Sequence, residues 1–224
     1  MHKRLGGKSV NKRFVGYYNP SVILTYTGVI STCLSMYLSF HGIFKWGFFF
    51  MMFAGLCDMF DGAVARKIKR NESEKKFGIQ IDSLCDLVCF GVNPAVTGIL
   101  LYARYDHKDT MIIGYFAGVL LILAAVIRLA YFNVTEEERQ QKTTERRKYY
   151  QGLPVTNSCL MAPLAYIIGS LISKEDVLPY VYSGALLLTA FLFVFNFKMP
   201  KPHGKANAVI IILAWCLFFG VLAV

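Results

Sequence analysis

Apolar stretches of about 20 residues recur along the whole chain, and each is long enough to cross the hydrocarbon core of a bilayer as a helix. Lipid offers no partners to backbone N–H and C=O groups, so a spanning segment must satisfy them internally. The pattern predicts spans near residues 20–40, 44–65, 79–103, 111–133, 155–173, 177–197 and 206–224. The expected fold is therefore all-α, a polytopic transmembrane helix bundle of six to eight spans. A hydrophobic fraction of 55% and a mean hydropathy of +0.46 over 224 residues agree with this reading, because soluble domains of such size carry more polar surface.

The net charge of +10 would suit nucleic acid if the cations were spread over one face. They are sorted by loop instead. With the N-terminus in the cytoplasm, the segments 1–19, 66–78, 134–153 and 198–205 hold 19 of the 24 Lys and Arg residues. The opposite side holds only Lys45, Arg104, Lys108 and Lys174, and Arg128 lies within a span. This is the positive-inside asymmetry of a membrane protein, and it should also draw anionic lipid headgroups; no nucleic-acid partner is expected. Residues 1–19 are expected to form a cytoplasmic juxtamembrane segment rather than a removable signal, and residues 20–224 a single transmembrane domain. The six cysteines show no CxxC or metal-ligand spacing and read as packing residues. The four histidines read as solvated loop or terminal residues.

Four aspartates break the apolar pattern of the second and third spans. An ionisable group inside a membrane is costly unless it meets water or a partner, which marks it as a functional candidate. Asp58, Asp61, Gly62 and Ala65 stand at i, i+3, i+4 and i+7, on one helix face, and Asp82 and Asp86 stand at i and i+4. The first pair closes a span that runs towards the cytoplasm; the second pair opens the span that returns. Antiparallel packing brings both to one depth, roughly two turns or about 10 Å inside the boundary. Four facing carboxylates repel, and divalent cations with a preference for oxygen, such as Mg²⁺, Mn²⁺ or Ca²⁺, would relieve the repulsion. Gly62 and Ala65 keep the carboxylate face low, Gly78 thins the start of the facing helix, and Arg66 offers a cation for a phosphate.

Asp58, Asp61, Gly62, Ala65, Arg66, Gly78, Asp82 and Asp86 together resemble the signature of the CDP-alcohol phosphatidyltransferase superfamily, D-x2-D-G-x2-A-R followed by G-x3-D-x3-D. Every fixed position matches, and the spacer of eleven residues between Arg66 and Gly78 is longer than the common form. The resemblance implies a transferase of phospholipid biosynthesis in a cell membrane, with a cytoplasm-facing site, and commonly a homodimer. It implies two divalent ions, Mg²⁺ or Mn²⁺, held mainly by Asp58, Asp61 and Asp82. Asp86 would sit at the same metals and serve as general base. It further implies that Asp58, Gly62, Ala65, Arg66 and Gly78 bind a CDP-linked lipid, and that CMP is released.

Within the superfamily the chain is most similar to the phosphatidylserine synthases. Asp82-Ser83-x2-Asp86 followed by Phe90-Gly91-x2-Pro94 is similar to their D-S-x2-D-x3-F-G-x2-P run. Arg128-Leu129-Ala130-Tyr131-Phe132-Asn133 is similar to their R-L-A-R-F-N, with Tyr131 in place of the second arginine, and Gly152-Leu153-Pro154 to their G-L-P. The resemblance implies CDP-diacylglycerol and L-serine as substrates. Arg128 lies deep in its span, and a buried guanidinium needs an anion: the carboxylate of serine, a donor phosphate or one of the four aspartates. It is the candidate for the acceptor carboxylate. The start of the first span departs from the P-N-x2-T of many family members, having Asn19-Pro20-Ser21 and then Thr25, and is left out of the expected site. Two rivals stand beside this reading: the same chemistry on glycerol 3-phosphate, inositol phosphate or inositol, and a divalent-cation transporter. Transport sites usually lie at the midplane between repeats, whereas these carboxylates sit towards one face of a chain with no visible repeat.

Overall fold

The computed structural model describes residues 16–65, 67–68, 70–142, 149–172, 176–200 and 205–224. Eight α-helices appear among them: α1 (Pro20–Phe40), α2 (Phe44–Ala65), α3 (Glu72–Asp86), α4 (Asn93–Arg104), α5 (Met111–Lys142), α6 (Ser158–Ile172), α7 (Leu178–Val194) and α8 (Lys205–Ala223). α1, α2, the continuous run from α3 through α4, α5, and α6 with its leading turn are long and apolar enough to cross a membrane; α7 and the apolar part of α8 are shorter. The expected all-α polytopic membrane bundle is what the chain forms. Its outer surface carries Ile30, Phe40, Ile112, Phe116, Leu171 and Phe219, all exposed, as suits a surface that faces lipid. Phe48, Phe90, Leu101, Leu121, Tyr182 and Phe193 fill the interior.

Helix ends differ from the hydropathy boundaries where local chemistry outweighs apolarity. α3 starts at Glu72, seven residues ahead of the expected 79. Asn71 caps it: its side chain accepts from the Glu74 N–H at 2.8 Å, and the Glu74 carboxylate accepts from the Asn71 N–H at 2.8 Å. α5 continues past the expected 133 to Lys142, with Arg139 paired to Glu136 one turn earlier at 2.6 Å. α7 stops at Val194 rather than 197, and the chain then forms β2 (Lys198–Pro200), antiparallel to β1 (Tyr149–Gln151) with Tyr150 opposite Met199.

α1 and α2 form the most extensive helix pair, and small residues explain why. Gly28, Ser31, Thr32, Ser35 and Ser39 follow one face of α1 and are buried. Ser31 and Ser35 donate to the carbonyls of Phe50 and Gly47, each at 2.7 Å. A Cβ on Gly47 would come within 2.6 Å of the Ser39 hydroxyl. Close backbone approach with hydroxyl bonds across it is a regular way for helices to associate in lipid. This packing fixes α2, and with it Asp58 and Asp61, against α1.

Between α3 and α4 the helix widens into a π-turn, Leu87–Val92. The Phe90 carbonyl accepts from the Ser158 hydroxyl of α6 at 2.7 Å. Gly91 lets α5 approach, since a Cβ there would stand 3.2 Å from that of Ala125. The Phe90-Gly91-x2-Pro94 run thus builds the joint just after Asp86, a common position for π-turns relative to functional residues.

Candidate active site

The facing ends of α2 and α3 bring together the carboxylates of Asp58, Asp82 and Asp86, with one oxygen of each within 4.8 Å of the others. Mg–O bonds of about 2.1 Å would put ligand oxygens at most ~4.2 Å apart. Neighbouring ligands on one such ion stand about 3 Å apart, so the three would draw together to hold it, and an all-carboxylate donor set suits a hard cation. Asp61, one turn further along α2 than Asp58, is 6% exposed and accepts a hydrogen bond of 2.6 Å from the Thr25 hydroxyl of α1. A cavity of about 10 Å³ lies between these groups, lined by Thr25, Gly28, Asp58, Asp61, Asp86 and Cys89 among others. That is of the order one water needs. The signature implies all four aspartates at the metals, with Asp58, Asp61 and Asp82 as the main ligands and Asp86 also the base. The structure groups Asp58, Asp82 and Asp86 most tightly and holds Asp61 at the cavity wall.

Thr25 is the residue that the sequence reading left out. It lies one and a half turns inside α1, whose first turn is capped by the Asn19 side chain, which accepts from the Val22 N–H at 3.2 Å. That cap sets where the helix starts, and so which face Thr25 occupies. The signal available was a hydroxyl near the start of the first span at the depth of the aspartates.

The remaining expected residues divide. Gly62 and Ala65 lie in the last turns of α2, with Ala65 as its final residue. Gly78 shares the α3 face of Asp82 and Asp86, and its bare Cα makes room for a guanidinium: a Cβ there would stand 3.1 Å from Nη1 of Arg70. Arg66 and residues 1–15 of the juxtamembrane segment lie outside the described residues. Ser83 and Asn133, from the two subgroup runs, meet at 3.0 Å and tie α5 to α3 between Asp82 and Asp86.

Arg128 is buried but lines none of the carboxylate cavity. Its Nε donates to the Leu153 carbonyl at 3.1 Å and Nη2 to the Gly152 carbonyl at 3.4 Å. Gly152 has φ +72°, and a Cβ would stand 2.9 Å from the Phe195 carbonyl, so the Gly-Leu-Pro run turns tightly under the end of α7. There the Gly152 N–H donates to Phe197 and that of Leu153 to Leu192. Arg128 also faces a cleft of about 250 Å³ shared with Tyr131, Gln151, Phe195 and Asn196. At the opposite end of the bundle His107 is not simply solvated. Its ring packs 5.4 Å from that of Tyr180, and its Nε2 is buried.

The structure is a polytopic helical bundle with acidic groups gathered from two facing helices, and the chain belongs to the CDP-alcohol phosphatidyltransferase family, whose family model matches residues 18–195. Members of this family use divalent metals, and the chain is an integral membrane protein. Three curated relatives are more particular. The chain is 37% identical over 122 residues to the CDP-diacylglycerol–serine O-phosphatidyltransferase of Saccharomyces cerevisiae, covering 53% of this chain and 41% of that one. It is 31% identical over 159 residues to the archaetidylserine synthase of Methanothermobacter thermautotrophicus, covering 71% and 62%. It is 29% identical over 182 residues to a CDP-diacylglycerol–serine O-phosphatidyltransferase of Mycobacterium tuberculosis, covering 76% and 59%. The chain thus spans less than two thirds of the length of each.

Proposed function

We propose that the protein transfers a phosphatidyl group from CDP-diacylglycerol to L-serine, forming phosphatidylserine and releasing CMP. In the net reaction the serine hydroxyl oxygen bonds to the lipid-bearing phosphorus, the bridging P–O bond to CMP breaks, and the hydroxyl proton leaves. Asp86 is the group we assign to receive that proton. Asp58, Asp61 and Asp82, together with Asp86, would hold two Mg²⁺ or Mn²⁺ ions, which supply charge stabilisation at the reacting phosphate. Asp58, Gly62, Ala65, Arg66 and Gly78 form the donor side of the site. The site opens to the cytoplasm, where the basic loops lie. The observation that carries the chemistry is the approach of Asp58, Asp82 and Asp86 across two helices. The serine assignment draws support from the names of the relatives and from the Ser83–Asn133 tie between the two subgroup runs beside the carboxylates.

Arg128 is assigned to the acceptor carboxylate, on the strength of its cleft with Gln151 and Asn196. Its bonds to the Gly152 and Leu153 carbonyls favour a second role, as the clamp of that turn. A homodimer is proposed on family grounds. The test is an acceptor comparison with purified protein in detergent, CDP-diacylglycerol and divalent metal, reading CMP. Serine should release CMP. Release with glycerol 3-phosphate or inositol phosphate, and none with serine, would defeat the serine assignment and leave the transferase class standing.

A further inference from the structure

The spacer between Arg66 and Gly78 carries Arg70, which precedes the Asn71 cap of α3 and lies outside the eight-residue signature. Its guanidinium does not point away into solvent. Nη1 stands 3.1 Å from where a Cβ on Gly78 would be, so the side chain lies over the bare backbone of α3. Nε is buried with no hydrogen-bond partner among the described residues. No Arg70 ion pair occurs among those residues either: the pairs present are Lys108–Asp106 and Arg139–Glu136. Gly78, Asp82 and Asp86 follow at i, i+4 and i+8 on one face, so the guanidinium lies about 6 Å along the axis from Asp82. A buried donor without an acceptor is a standing cost, and its position beside the carboxylates says what chemistry would relieve it.

Charge accounting points the same way. Two divalent cations balance the four aspartates and leave the two negative charges of a diphosphate diester uncompensated. Such charges are expensive at a membrane-embedded site unless paired. On the donor reading above, Arg66 would balance one of them. A second fixed cation within reach of the Gly78 face would balance the other.

We propose that Arg70 binds the diphosphate of the nucleotide-linked donor, so that the lengthened spacer supplies a cation beyond the signature arginine. This rests on the donor reading given above and is independent of which alcohol accepts the lipid. Planar, forked donors match phosphate oxygens, and lysine copies the charge without the fork.

The experiment titrates CDP and, separately, cytidine into the full-length protein in detergent with Mg²⁺, for wild type, Arg70→Ala and Arg70→Lys. Arg70→Ala should weaken CDP by about ten- to a hundredfold, the range of one charge-assisted contact, and leave cytidine unchanged. Arg70→Lys should fall between. In turnover assays the KM for CDP-diacylglycerol should rise in Arg70→Ala while that for the acceptor stays within about twofold. Unchanged CDP affinity in Arg70→Ala would overturn the proposal. So would an equal loss for CDP and cytidine with a lowered unfolding midpoint, which would make Arg70 a cover for the start of α3. If Arg70→Ala does not fold, Arg70→Lys with wild-type CDP affinity overturns it too. Failure of serine in the acceptor comparison, with the CDP result intact, would touch only the acceptor assignment.

Discussion

Replacing Thr25 with valine removes one hydroxyl and keeps the shape of the side chain. Thr25 donates to Asp61 at 2.6 Å, and Asp61 is 6% exposed, so water has little access to make good the loss. A hydrogen bond to a charged group is worth about 1.5–3 kcal/mol, and a tenfold change in an equilibrium corresponds to about 1.4 kcal/mol. Partners that orient a metal-binding carboxylate typically control about 10–100-fold of metal affinity. The two estimates agree. Thr25→Val should therefore raise the Mg²⁺ or Mn²⁺ concentration for half-maximal activity by about ten- to a hundredfold. Saturating metal should restore much of kcat, because the carboxylate itself remains. The assay is CMP release over a metal titration, with the unfolding midpoint measured alongside. An unchanged metal requirement together with a lowered midpoint would refute the reasoning, since Thr25 would then merely tie α1 to α2.

Asp86→Asn should keep affinity for the CDP-linked lipid and lose about 10²–10⁴-fold in turnover, the usual contribution of a general base; near-normal turnover would assign the base elsewhere. Asp58→Asn and Asp82→Asn should weaken metal binding, read by titration after chelation, and wild-type affinity in either would break the three-carboxylate centre. Gly152→Ala should destabilise the fold by at least about 1 kcal/mol, from the strain of φ +72° and the 2.9 Å approach to the Phe195 carbonyl, and an unchanged thermal midpoint would contradict this. Arg128→Lys should raise the KM for serine more than that for the CDP-lipid; a lowered midpoint with both KM values unchanged would leave Arg128 only its clamp on Gly152 and Leu153.

The bundle was legible because lipid leaves a chain few choices. Each apolar run had to be a helix, and hydropathy located α1 and α2 at their observed ends. Where the chain leaves the apolar layer, caps and pairs decide instead. The Asn71–Glu74 box extends α3 outward, and strand pairing with residues 149–151 takes over where α7 ends. Neither carries an apolar signal. The aspartates were legible for a similar reason: a charge at that depth is expensive, and spacing alone puts each pair on one face. Distances between helices follow from packing, so the sequence could not say that Asp61 would lean on Thr25 while Asp58, Asp82 and Asp86 converge. Nor could it say that Arg128 would bond the Gly152 and Leu153 carbonyls. Depth along an axis was readable, but the direction around it was not, and the Gly152 turn that takes up the guanidinium depends on a backbone conformation. The π-turn was hidden too, since Phe90-Gly91 reads as an unbroken helix until the Ser158 bond to the Phe90 carbonyl is seen.

Metal-dependent transfer of a lipid phosphate to serine at the α2–α3 carboxylates is the chemistry proposed for this chain. Its most direct measurement is product formation: purified protein, CDP-diacylglycerol and isotope-labelled L-serine, with the lipid extract read by mass spectrometry. Labelled phosphatidylserine should form one-for-one with CMP, vanish on chelation and return with Mg²⁺ or Mn²⁺. Labelled lipid at an undiminished rate in excess chelator, after prior removal of bound metal, or no labelled lipid at all with metal present, would contradict the account.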